Sequence, residues 1–185
     1  MEQDNNQQLA NAAYTKEDAY QSLEIINTWI SNIDTKVSFA LALAGVLIGI
    51  IFSSGLPKAL QRICEVSKLT ELNGGEIIAS ILVILLYIVS FLSIISFLLA
   101  IIARVKNLNN TSSIFFFGSI GMMNLQNYTD KVSQMTENQI IRDLEEQIHT
   151  VSKICSQKAK WYNIGIKFLM PMIVLWFICM VFRLI

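Results

Sequence analysis

Apolar residues crowd into three stretches without a single charged side chain: residues 37–56, 77–103 and 168–182. A helix crosses a hydrocarbon core of roughly 30 Å in about 20 residues at about 1.5 Å each, so the first two stretches are long enough to span a bilayer. The third is shorter. Its bounding cations, Lys167 and Arg183, have stems that snorkel toward headgroups, and Trp161, Tyr162 and Trp176 suit an interface, so it is expected to cross as well. Pro171 falls near the start of that span, where the first helical turn has no intrahelical donor to lose.

Helical periodicity extends beyond these runs. Leu23, Ile26, Ile30, Ile33 and Val37 recur at three- and four-residue steps, which predicts an amphipathic helix from about Thr15 that continues without interruption into the first span. Thr15 with Glu17 and Asp18 reads as its start, and the Gln- and Asn-rich residues before it as a tail. A second periodic stretch runs from about Tyr128 to Tyr162 through Ile141, Leu144, Ile148, Val151 and Cys155, at heptad-like spacing suited to packing against other helices. Between them, Asn107 to Leu125 reads as a loop leading into a short element that begins at Phe115, Phe116 and Phe117.

The predicted architecture is an all-α membrane protein with three transmembrane helices and cytoplasmic helical extensions. Its segments are a tail and amphipathic helix (1–36), a first span (37–56), a periplasmic loop (57–76), a second span (77–103), a cytoplasmic helical region (104–163) and a third span (164–185). Orientation follows from the flanking cations: Lys36, Arg104, Lys106, Lys158, Lys160 and Lys167 would share one side, against Lys58, Arg62, Lys68 and Arg183 on the other. That bias places the N-terminus in the cytoplasm. A cleavable leader is not expected, because the first apolar run starts only at Val37.

Composition changes little in this picture but narrows the chemistry. The chain is 54% hydrophobic and 15% charged, with a net charge of zero, so any polyanion must be met by a local patch. Cys64, Cys155 and Cys179 have no paired spacing, which predicts neither disulfides nor a metal site. With one histidine, His149, no glycine-rich phosphate loop and no nucleophile with an evident base, the chain is not expected to be an enzyme or to need a cofactor. No ionisable residue lies inside the apolar runs, which argues against a proton relay or ion-coupled transport. A pore, if formed, must be assembled from several copies.

Candidate functional residues fall into five groups. Ala40 with Ala44, and Gly45 with Gly49, are small residues four apart, the spacing that lets helices approach closely in lipid. Ser80, Ser90, Ser93 and Ser96 spiral around the second span and are expected to bond their own helix carbonyls. Asp34 and Lys36 stand at the mouth of the first span, as a functional pair or as simple anchors. From His149 to Lys167 there are lysines and no acid: Lys153, Lys158, Lys160 and Lys167. These lysines read either as a flank attracted to anionic lipid or, repeated around an oligomer axis, as a ring that holds an anionic ligand. The Phe run packs onto membrane or helices, or stacks a base.

Trp29-Ile30, Asp34-Thr35-Lys36 before a small-rich span, Phe116-Phe117-Gly118 after the second span, then Asp143-Leu144, Gln147-Ile148 and Lys158 together resemble the Pycsar-effector transmembrane domain of bacterial anti-phage systems. The resemblance runs from about Ala19 to the C-terminus. It implies a membrane effector, licensed by a nucleotide signal, that disrupts the inner membrane and arrests the infected cell by abortive infection. No separate ligand-binding domain is expected beside the spans. The arrangement is also similar to the Hailong defence system, whose small membrane effector is a channel held closed by a DNA oligomer from a companion nucleotidyltransferase. On that likeness the chain is expected to form a homo-oligomer, tetrameric in the simplest case, with an ion-conducting pore gated by a nucleotide or DNA oligomer. Arg104, Lys106, Lys153, Lys158 and Lys160 would then neutralise phosphates, with Phe116 and Phe117 nearby, and a companion cyclase or nucleotidyltransferase would supply the signal. The alternative is a non-conducting membrane adaptor that docks a cytoplasmic partner through its helical region.

Overall fold

In the computed structural model, residues 14–53, 55, 57–65, 72–102 and 113–185 are described, and among them every regular element is a helix. In chain order these are α1 (Lys16–Ser53), α2 (Lys58–Glu65), α3 (Gly74–Ile101), α4 (Phe117–Met122), α5 (Leu125–Gln134) and α6 (Glu137–Val181). Three of them, α1, α3 and α6, are long and apolar enough to cross a membrane. The protein is a membrane protein.

The described residues divide into two compact units. One draws on residues 14–32 and 113–156, the other on 33–102 and 157–185. We refer to them as the polar unit and the membrane unit. Helices α1 and α6 each contribute residues to both, without a break in either helix.

In the membrane unit, α1 buries Ile33, Val37, Ala40, Ala44, Leu47 and Ile51, in alternating steps of four and three. That heptad spacing keeps one seam facing its neighbours over the whole run. α6 does the same with Lys158, Gly165, Leu169, Met172 and Cys179. α3 opens with a reciprocal capping box: the Glu76 N–H donates to Asn73 Oδ1 at 2.9 Å, and the Asn73 N–H to Glu76 Oε2 at 3.0 Å. The Arg62 guanidinium of α2 pairs with Glu76 at 3.3 Å and ties that helix to the start of α3.

The four serines of α3 are all buried, on the same side as Val83, Leu86 and Phe97, rather than spiralling around the helix. Ser80, Ser90 and Ser96 donate to the carbonyls of Glu76, Leu86 and Leu92 one turn back. Ser93 instead crosses to the Gly165 carbonyl of α6 at 3.2 Å. At that crossing α6 comes so near that a Cβ on Gly165 would lie 2.5 Å from the buried ring of Phe97. Glycine is required there by space.

Two expectations about the last helix are corrected. The periodic stretch from Tyr128 to Tyr162 is not one helix, because Met135 is extended and ends α5, and Thr136 donates its N–H to the Gln139 side chain at 2.8 Å to open α6. Pro171 does not sit in a first turn. It lies deep inside α6, where it withholds the N–H that the Lys167 carbonyl would otherwise receive. Membrane helices tolerate such breaks where neighbouring groups re-satisfy the backbone.

Candidate functional site

In the polar unit, the most buried positions of α6 are Asp143, Leu144, Gln147 and Thr150, so that a largely polar stripe faces inward while Ile141, Ile148, Val151 and Cys155 are only half-buried. This corrects the apolar seam predicted there. Asp143 is the anchor: its carboxylate accepts the buried Ile114 N–H at 2.8 Å and so pins residues 113–115 against the helix. The Ser113 hydroxyl accepts the Phe115 N–H at 3.0 Å, and Tyr20 of α1 meets the Phe115 ring edge-on at 5.8 Å. Phe116 packs over Gly118, whose Cβ would come 2.7 Å from the ring, and Phe117 is exposed.

Where α5 gives way to α6, their side chains enclose a cleft of about 530 Å³ lined by Lys131, Gln134, Met135, Gln139, Arg142, Asp143 and Glu146. Clefts of this size suit a small ligand. Arg142 leans toward Glu146 at 3.7 Å, one turn on, and the Gln139 carboxamide oxygen is engaged by Thr136. Two cations, two carboxylates and two carboxamides thus converge with no formal net charge. Such a lining can hold a polar ligand of low charge, with the guanidinium and ammonium for a phosphate and the amides for a base edge. It does not have the excess of cations that a polyanion demands.

In the membrane unit, Lys158 Nζ donates to Asp34 Oδ1 at 2.6 Å, joining α6 to α1. The lysine side chain is 10% exposed and the aspartate 44%. Asp34 and Lys36 are two residues apart on a helix and so point in different directions, and Asp34 pairs across to α6.

The predicted site residues fall in both units. Lys153 is exposed in the polar unit and Lys160 in the membrane unit, while Lys158 is committed to Asp34. Arg104 and Lys106 lie outside the described residues. Ala40 and Ala44 belong to the buried seam of α1, whereas Gly45 and Gly49 are on its exposed side, where added Cβ atoms would meet nothing within 4 Å. No sequence pattern singled out the cleft residues Lys131 and Arg142, because a short helix and a long one meeting at Met135 look, by periodicity alone, like one. Among the described residues no cluster of His, Cys, Asp or Glu could hold a metal ion.

Comparison with known proteins follows the same lines. Residues 18–185 match the family described as the Pycsar effector protein domain. The chain is 38% identical over 167 residues to the Pycsar effector protein GmPycTM of Gulbenkiania mobilis, covering 83% of this chain and 85% of that protein. No solved structure matches.

Proposed function

The chain belongs to the Pycsar effector protein domain family, and from that premise we propose that it is a membrane effector of bacterial anti-phage defence that conducts ions across the inner membrane once a nucleotide signal is received. The observation that carries this reading is the continuity of α1 and α6, each of which leaves a unit with a ligand-sized polar cleft and enters charge-free membrane stretches. A signal bound in the first unit thereby has two helices through which to act on the second. The positive flank of Lys36, Lys158, Lys160 and Lys167 orients the polar unit to the cytoplasm.

Three spans per chain leave too little wall for a pore, so the conducting species is a homo-oligomer, for which a tetramer is the simplest case. The signal is a cyclic mononucleotide made by a companion cyclase rather than a DNA oligomer, because the balanced charges around Lys131, Arg142, Asp143 and Glu146 favour a singly charged ligand. Planar-bilayer recording of the purified full-length protein, with a panel of cyclic mononucleotides and a short DNA oligomer, tests the reading. Conductance appearing with one mononucleotide and lost in Arg142→Ala supports it. Silence under every condition sinks the pore, and leaves a non-conducting adaptor as the better account.

A further inference from the structure

The membrane unit carries an apolar groove between α1 and α6, of about 680 Å³, whose walls are Phe39, Ala40, Ala42, Leu43 and Val46 on one helix and Ile166 and Leu169 on the other. Two further lining residues are polar at their tips, Lys36 and Tyr162, and each is the first lining residue of its helix. The Asp34–Lys158 ion pair joins the two helices just before that point, so both polar tips stand at one end of the groove. From Lys36 to Val46, α1 advances about 15 Å, half of a hydrocarbon core roughly 30 Å thick. The slot is one leaflet deep.

We infer that this groove is a binding site for an anionic phospholipid, one acyl chain lying along the apolar walls and the headgroup phosphate meeting Lys36. Charge supports that occupant. Asp34, the nearest acid to Lys36 in the chain, is held by Lys158 at 2.6 Å and faces away from it, so the ammonium of Lys36 is not cancelled by its neighbour. Tyr162 adds an amphipathic ring at the same level, the position such rings favour at a membrane interface. A second copy of the chain fits less well: helices seat closely on small residues, yet the bulky Phe39, Leu43, Val46, Ile166 and Leu169 outnumber the small Ala40 and Ala42 in the groove, and Gly45 and Gly49 are not among its walls. A lysine at the end of a protein–protein seat would also require an acid from the partner.

The inference stands independently of any signal-gated conductance, and its test reads lipid alone. Full-length protein in mild detergent is titrated with phosphatidylglycerol and with phosphatidylcholine of the same acyl chains, and bound lipid is counted by native mass spectrometry. The wild type retains phosphatidylglycerol in preference. Lys36→Gln weakens phosphatidylglycerol about fivefold, the effect of one basic residue at an anionic surface, and leaves phosphatidylcholine unchanged. Lys36→Arg keeps the preference, and so does Lys160→Gln, an exposed lysine outside the groove. Ala42→Trp, which fills the groove, lowers retention of both lipids. Equal retention of the two lipids by the wild type, or equal losses in Lys36→Gln and Lys160→Gln, overturns the site in favour of a diffuse basic flank. If Ala42→Trp leaves lipid counts intact but changes the number of protomers, the occupant is a second copy and the lipid assignment fails.

Discussion

Within the polar unit α6 buries Asp143, Gln147 and Thr150 around a single leucine, Leu144, whereas within the membrane unit the same helix, after Lys158, buries Gly165, Leu169, Met172 and Cys179 and turns Phe177 and Val174 outward. The difference reflects the solvent each stretch faces. In water, apolar surface drives burial, and a few interior polar groups are tolerable once hydrogen-bonded, as Asp143 is to Ile114. In lipid the exterior is as apolar as any core, so helices associate by close packing and cross-helix hydrogen bonds. Gly165 against Phe97 and Ser93 to the Gly165 carbonyl are that kind of contact. One helix thus obeys two packing rules along its length.

The largest test of the comparison is at the crossing of α3 and α6. Phe97→Ala should cost about 3–5 kcal/mol, because the fully buried ring leaves a cavity. Gly165→Ala should cost about 1–3 kcal/mol through overpacking against the same ring. Thermal unfolding in detergent checks both. Combined, the two substitutions should cost less than their sum, since the new methyl enters the space that the ring vacates. Additive losses would mean that packing at this crossing is looser than the contact implies.

A second test asks whether the polar unit rests on its buried carboxylate. Asp143→Ala strands the buried Ile114 N–H, a loss of about 1–3 kcal/mol, while Asp143→Asn keeps an acceptor and should lose less. Hydrogen exchange at Ile114 reads it directly. Faster exchange there, with the serine-lined stretch of α3 unchanged, confines the effect to the polar unit.

Next in size is the ion pair that opens the membrane unit. Asp34→Ala leaves the mostly buried Lys158 ammonium without its carboxylate and should cost about 1–2 kcal/mol, less than the loss of a wholly buried pair because Asp34 is partly solvated. Lys158→Met removes the charge instead of stranding it, and should cost less than Asp34→Ala. Equal costs would mean that Lys158 finds water as easily as it finds Asp34.

How much of this could be read beforehand depends on the solvent in the same way. Membrane stretches announce themselves through runs without charge, and the unbroken entry of α1 into the first was visible in Leu23, Ile26, Ile30, Ile33 and Val37. The family, too, was legible from short motifs in order, and residues 18–185 carry it. Of the inward face of α6 in the polar unit, periodicity revealed only Leu144, because periodicity tracks apolar residues and the rest of that face is Asp143, Gln147 and Thr150. Lys158 looked like one of a series of phosphate-seeking cations. Its partner lies on another helix, far away in the chain, and no local spacing reveals it. The cleft at Lys131 and Arg142 depends on the break at Met135, a residue with no intrinsic turn chemistry.

The smallest expected effect is at Gly45 and Gly49, and it separates packing within a chain from packing between chains. Ala40 and Ala44, on the buried seam of α1, already spend their small size on contacts inside the protomer. The two glycines face outward with nothing within 4 Å of an added Cβ, so within one protomer Gly45→Ala has no clash to make and removes a flexible residue from a helix interior. Monomer stability should rise by about 0.5–1 kcal/mol. If the assembled effector seats a second copy on that face, Gly45→Leu and Gly49→Leu should lower the protomer number seen by light scattering in detergent while leaving the thermal midpoint of the monomer in place. An unchanged protomer number would assign the face to lipid.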